Sequence, residues 1–172
     1  MKEILPGLPV VFRQADLPDA GMLGYIYYHS WRSAVQGVLP ERYLEPYTPE
    51  ALADAMYRLM GTTYADYFLI DIGGEPSGFA AADYQADPQT GEITHLFLLP
   101  EYVGKGYGRA ALDFLMEHLK ARGKTTAALW VNGSNGRAVR FYEGQGFAPT
   151  GEERELYMGV RQVERRYARR ID

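Results

Sequence analysis

Residues 100–115, PEYVGKGYGRAALDFL, constrain the fold more than any other stretch: glycines stand at 104, 106 and 108, and a helical pattern follows at once. Glycine is disfavoured in a helix by about 1 kcal/mol relative to alanine. Three of them at a helix entrance mean that something comes close to the backbone. A helix N-terminus presents N–H groups without intrahelical partners and the positive end of the macrodipole. Glycines ahead of it admit an anion to those groups with no Cβ in the way. Lys105 and Arg109 flank the turn, and no Asp or Glu lies between Glu101 and Asp113. The stretch reads as a phosphate or pyrophosphate cradle.

Two other cradles do not fit. A GxxxxGK[ST] loop ending on Gly104-Lys105 needs Gly at 99 and Ser or Thr at 106, where the chain has Leu99 and Gly106. A GxGxxG dinucleotide fingerprint beginning at Gly104 ends on Arg109, and it belongs to a first strand–helix–strand unit, whereas four strands precede this turn. A glycine-rich turn that serves only helix–strand packing is the plain alternative.

The pattern around the turn sets the fold class. Residues 10–15 form a short strand, and Asp16 and Pro18 open a helical segment through Leu23, Ile26 and Val35, interrupted by Gly24. Thr48-Pro49 caps a second helix that runs to Gly61. YFLIDI, Gly73-Gly74 and SGFAAADY predict a hairpin, with alanines weakening its second strand. EITHLFLL is the next strand, ending at Pro100. Leu112, Leu115, Met116 and Leu119 then make one apolar stripe on the helix after the glycines, closed by Gly123. TTAALWV is a buried strand, residues 132–146 hold a short helix capped by Ser134 or Asn135, and two alternating strands finish the chain. The 172 residues thus predict a single α/β (α+β mixed) domain over 1–172. Its largely antiparallel, six- to seven-stranded sheet carries helices on both faces and one parallel crossover.

VGKGYGRAALDFL followed, one strand later, by N-x-x-A-x-x-F-Y-E-x-x-G-F resembles the GNAT superfamily of acyl-CoA-dependent N-acetyltransferases. The likeness runs most clearly from Ile93 to Phe147 and more weakly over SWRSAVQGVLPERYL. The family's Q/R-x-x-G-x-G/A pattern falls on Val103-Gly104-Lys105-Gly106-Tyr107-Gly108, with Val103 in place of Arg or Gln. The resemblance implies acetyl-CoA as co-substrate, held where two parallel strands splay apart. On that pattern the backbone of Leu96, Phe97 and Leu98 pairs with the pantetheine arm, and the segment from Val103 to Arg109 holds the pyrophosphate. Asn135 and Tyr142 lie two turns apart, roughly 10 Å along the axis. The resemblance makes Asn135 a cofactor contact and Tyr142 the general acid beside the sulfur; a plain helix cap and a core aromatic are the alternatives. Some relatives that acetylate protein N-termini carry a strand glutamate as base, but that position is Trp130 here. Glu92 and His95 are then the candidate bases, alongside a water chain with no single base.

The implied reaction is transfer of acetyl to a primary amine by direct attack in a ternary complex, with a small molecule favoured over a protein N-terminus as acceptor. A non-catalytic acyl-CoA-binding or sensing domain is the alternative, and a nucleotide-binding domain of another fold a weaker one. Tyr27, Tyr28, His29 and Trp31 fall in the part of the chain that builds the family's acceptor site, and Asp66, Asp71, Asp83 and Asp87 make the hairpin region acidic, which would suit a cationic amine. Composition bears on the rest. There are no cysteines and three widely separated histidines, so no metal site is expected. Net charge is −4, which disfavours nucleic acid; VERRYARR reads as charge alternation on an edge strand. No apolar run spans a bilayer and MKEILPGLPVVF has no leader pattern, so a cytoplasmic location is expected. A homodimer stays open.

Overall fold

The computed structural model describes residues 7–62 and 64–172; residues 1–6, within the stretch read for a leader, and residue 63 lie outside it. Seven strands form one sheet in the order β1-β2-β3-β4-β5-β7-β6. They are β1 Val10–Gln14, β2 Ala65–Ile72, β3 Glu75–Asp83, β4 Thr90–Leu98, β5 Thr126–Asn132, β6 Ala148–Tyr157 and β7 Arg161–Arg170. All neighbours are antiparallel except β4 and β5. The helices are α1 Ala20–Val35, α2 Glu41–Leu44, α3 Pro49–Thr62, α4 Tyr107–Ala121 and α5 Gly136–Gly144. The sequence pattern foresees this order except for α2, a single turn begun at Pro40, whose fixed φ suits a helix start.

The alanines of β3 are explained by what covers them. Ala80, Ala81 and Ala82 are each 0% exposed, because helices press on both faces of this central strand. Ala80 and Ala82 meet Leu112, Leu115 and Leu119 of α4, while Phe79 and Ala81 face Leu23 and Ile26 of α1. Period-two alternation divides the strand between two cores, and small side chains let both helices come close. Behind α1 lies α3, and Gly24 sits at their crossing. A Cβ there would lie 2.4 Å from the backbone nitrogen of Ala53, so the glycine that interrupts the α1 pattern is required by close approach.

β4 carries a bulge. Ala81 pairs with His95 but Ala82 pairs with Ile93, leaving Thr94 as the extra residue. The bulge offsets the alternation. Ile93 belongs to the α4-side core, whereas His95, two residues on, stands among rings on the α1 side.

β4 and β5 are parallel only over Thr90–Thr126, Gly91–Ala127 and Glu92–Ala128. Beyond that rung β4 pairs only with β3, and β5 continues along β7 to Asn132–Glu164. The two strands splay. VERRYARR falls on β7, which lies inside the sheet between β5 and β6, so it is not the edge strand its charges suggest. Two of its arginines meet carboxylates, Arg165 with Glu153 at 3.3 Å and Arg166 with Glu92 and Glu152, both at 3.5 Å, while Arg169 donates to the Gln145 carbonyl at 2.9 Å.

Candidate functional site

The splay leaves backbone groups of β4 without a strand partner. Leu99 N–H donates to the Ser77 carbonyl at 2.8 Å, and Phe97 pairs with Phe79. In an antiparallel ladder alternate residues turn their polar groups to the partner strand. Phe97 therefore faces β3, and Leu96 and Leu98 face the gap. Of the three residues expected to pair with a pantetheine arm, Phe97 supplies wall only. The Ser30 hydroxyl reaches across from α1 and donates to the Leu98 carbonyl at 2.7 Å.

A cavity of about 780 Å³ fills the gap. Leu96, Phe97, Leu98, Val103, Gly104, Gly106, Gly108 and Arg109 line one side, and Asn135, Arg137, Ala138, Phe141, Tyr142 and Gln145 the other. Gly104 has φ +77° and Gly106 φ +90°, so the left-handed backbone needs glycine at both. A Cβ at either would meet nothing within 4 Å and would project into open space. Gly106 is the residue before α4, and among the described residues no side chain caps that end. Its first-turn N–H groups, those of Gly108 and Arg109 among them, have no intrahelical partner. Gly108 is helical, with room for a Cβ 3.5 Å from the Phe141 ring. Lys105 does not line the cavity, and the Tyr107 side chain is buried in the core, its hydroxyl accepting from Leu8 N–H at 3.1 Å.

The opposite wall is α5. Its cap is Asn135, whose Oδ1 accepts from Ala138 N–H at 3.2 Å. That leaves the Asn135 amide free to donate, so the cap and the cavity contact coexist in one side chain. Tyr142, two turns on, stands half-buried between the rings of Phe141 and Phe147. Burial pushes its pKa up to about 12. Among the described residues nothing hydrogen-bonds its hydroxyl.

The two candidate bases sit outside the cavity wall. Glu92 marks the last parallel rung, where the gap begins, and pairs with Arg166. His95 lies among Tyr27, Tyr67, Phe79 and Phe97, with ring centroids 5.5 to 6.2 Å away, and burial pushes its pKa down to about 4. Its Nδ1 meets the Thr94 hydroxyl at 3.0 Å. The acidic hairpin residues do not line the cavity either. Asp66 pairs with His118 and Arg122, while Asp83 and Asp87 accept backbone N–H groups of their own turns. On the α1 side Trp31 stacks edge-on to Tyr47 at 5.1 Å. The Trp130 ring carries the guanidinium groups of Arg154 and Arg166 at 4.4 and 5.4 Å. Ser30, Ser33, Arg137 and Gln145 line the cavity without having been singled out in the sequence. Only Arg137 offers a signal, a cation in a helix's first turn. Among the described residues no group of three or more His, Cys, Asp or Glu could hold a metal ion, and no helix is long and apolar enough to cross a membrane.

The splayed parallel pair, the uncapped glycine turn and the facing α5 are joined by a family-level match: residues 27–147 fit the model of the acetyltransferase (GNAT) family. The chain belongs to that family. A GNAT relative, an uncharacterized N-acetyltransferase of Methanocaldococcus jannaschii, is 33% identical over 105 residues, covering 58% of this chain and 45% of that protein. A mycothiol acetyltransferase of Streptomyces bingchenggensis is 37% identical over 91 residues, covering 51% of this chain and 30% of that protein. The chain thus spans about half or less of the length of these curated relatives. Among solved GNAT folds, the PaiA N-acetyltransferase of Thermoplasma acidophilum, in complex with coenzyme A, matches with a TM-score of 0.74. That match covers 95% of this chain and 99% of that one at 20% identity, a likeness of fold.

Proposed function

We propose that the protein transfers an acetyl group from acetyl-CoA to the primary amine of a small molecule, by direct attack in a ternary complex. The observation that carries this reading is the charge of the cavity: among the described residues its charged lining is two arginines, Arg109 and Arg137, with no carboxylate. A cavity whose lining combines two cations, strand-edge backbone and a phenol suits a phosphorylated thioester. Leu96 and Leu98 would bind the pantetheine amides as an added strand does. The turn from Val103 to Arg109 would hold the pyrophosphate, and the Asn135 amide would donate to the arm. Acetyl-CoA supplies the activated carbonyl and a thiolate leaving group.

Tyr142 keeps its proton at any physiological pH. With a phenol near 12 and a thiol near 8.5, complete proton transfer to the sulfur is uphill by about 5 kcal/mol. Its role in this reading is hydrogen-bond donation to the charge that develops on sulfur. The attacking amine must be neutral, and an alkylammonium near pKa 10.4 has to lose a proton first. An imidazole whose conjugate acid has a pKa near 4 accepts that proton no better than an ordinary carboxylate does, so placement decides between the two. Glu92, at the point where the gap opens, is the better placed of the two and would act through water. Trp130, where N-terminal acetylating relatives carry glutamate, supports a small-molecule acceptor, and the cysteine-free chain suits a reducing cytoplasm.

Calorimetric titration with acetyl-CoA, beside NADH and ATP, tests the cleft; thiol release over a panel of primary amines tests the chemistry. Micromolar binding of acetyl-CoA alone with amine-dependent thiol release is expected. No binding of acetyl-CoA overturns the reading. Binding without release from any amine would make the chain an acyl-CoA binder.

A further inference from the structure

We infer that Arg137, on α5, supplies from the opposite wall the cationic contact to the co-substrate's pyrophosphate that Val103 lacks; this rests on the acetyl-CoA reading above. Val103 lines the cavity at the start of the glycine turn, and a valine side chain offers a phosphate neither charge nor hydrogen bond. Arg137 lines the same cavity as Val103, Gly104 and Gly106. Among the described residues no carboxylate pairs with it, whereas Arg109 on the other wall has Asp113 at 4.0 Å.

The helix context is the second argument. Both arginines lie in the first turn of their helices, Arg109 on α4 and Arg137 on α5, and neither first turn holds an acidic residue. A cation there opposes the macrodipole. Two helix starts that converge on one cavity, each with an arginine and no acid, are electrostatically matched to a multiply charged anion between them. A guanidinium also fits two phosphate oxygens at once, in a way the backbone cradle does not. Arg140, one turn further along α5 and exposed as Arg137 is, does not line the cavity and serves as the internal control.

The test measures dissociation constants for CoA and for dephospho-CoA, which lacks the 3′-phosphate but keeps the pyrophosphate. It uses the wild-type protein, Arg137→Ala and Arg140→Ala, each at low and moderate salt. Arg137→Ala is expected to weaken both ligands by about tenfold and to flatten the salt dependence, while Arg140→Ala stays within about twofold of wild type. Equal affinities for wild type and Arg137→Ala would overturn the inference. So would a loss confined to CoA, because that pattern assigns Arg137 to the 3′-phosphate. A wild-type protein that binds neither ligand would instead remove the acetyl-CoA reading itself, and the inference with it.

Discussion

Gly106→Ala separates the backbone's need for glycine from the ligand's. Gly106 has φ +90° and ψ −8°, and the added methyl would meet no protein atom within 4 Å. No clash arises in the free protein, so its loss of stability is the left-handed penalty alone, about 1–2 kcal/mol. For a domain of this size that lowers Tm by about 2–8 °C. The effect on the ligand is separate. The methyl points into the cavity where a phosphate would meet the α4 N–H groups, and losing one charge-assisted hydrogen bond of about 1.5–3 kcal/mol weakens CoA about tenfold to a hundredfold. Gly108→Ala is the comparison. Gly108 is helical and its Cβ would sit 3.5 Å from the Phe141 ring, an ordinary contact, so stability should hold or rise by up to about 1 kcal/mol. Thermal melts with and without CoA, together with calorimetry, read both quantities. A Gly106→Ala protein that melts with wild type would refute the conformational argument. One that melts lower but binds CoA as tightly as wild type would refute the cradle.

Tyr142→Phe should lower kcat by about 10²–10⁴ while leaving the dissociation constant for acetyl-CoA unchanged. With the phenol near 12, the wild-type rate should show no descending limb from this group below about pH 11; an unchanged kcat would exclude Tyr142 from the chemistry. Glu92→Gln should reduce kcat/KM by about a hundredfold and remove the acid limb of its pH profile; an acid limb that survives would assign deprotonation to solvent. His95 makes a stability prediction instead. Its native pKa is near 4 while the unfolded imidazole titrates near 6.5, so the unfolded state gains a proton first as pH falls. Stability is complete above about pH 6.5 and drops by up to ~3 kcal/mol towards pH 4. Denaturant titrations of wild type and His95→Gln should diverge across that window; parallel curves would show that His95 takes up protons normally.

The elements were legible because each rests on local chemistry. Helix α4 shows its stripe of Leu112, Leu115, Met116 and Leu119, all buried against the sheet. The glycine turn was legible for the same reason, since the left-handed backbone that glycine allows at 104 and 106 is a single-residue property. Side chains from elsewhere in the chain were not. Ser30 meets the Leu98 carbonyl across 68 residues, and a serine in a helix carries no mark of such a partner. The acidic hairpin shows the opposite failure. Asp83 and Asp87 look like a charged surface in composition but are turn formers, each accepting neighbouring backbone N–H groups. Likewise β7 has the charge pattern of an edge strand, and only the pairing order shows β6 outside it.

The gap was foreseen through the family resemblance and not from any local pattern, because its cause lies in long-range geometry. At the paired end of β4, Gly91 lets Leu119 of α4 seat directly on the strand; a Cβ there would lie 2.3 Å from the leucine. Three residues later the bulge at Thr94 bends and twists β4. β5, held to β7 from Thr126 to Asn132, keeps an unbroken register along that pairing and stays with β7. Two parallel strands of which one bends must separate, and they separate on the bulge's side of Glu92. At the open end the start of α4 stands off from β5, and the neighbours of a Cβ on Gly108 are Phe141 of α5 and Leu98 at the end of β4. The uncapped N–H groups therefore look into the space the splay creates. Thr94 carries no local signature of a bulge, yet it decides that the glycine turn opens on a cavity and not on packed core.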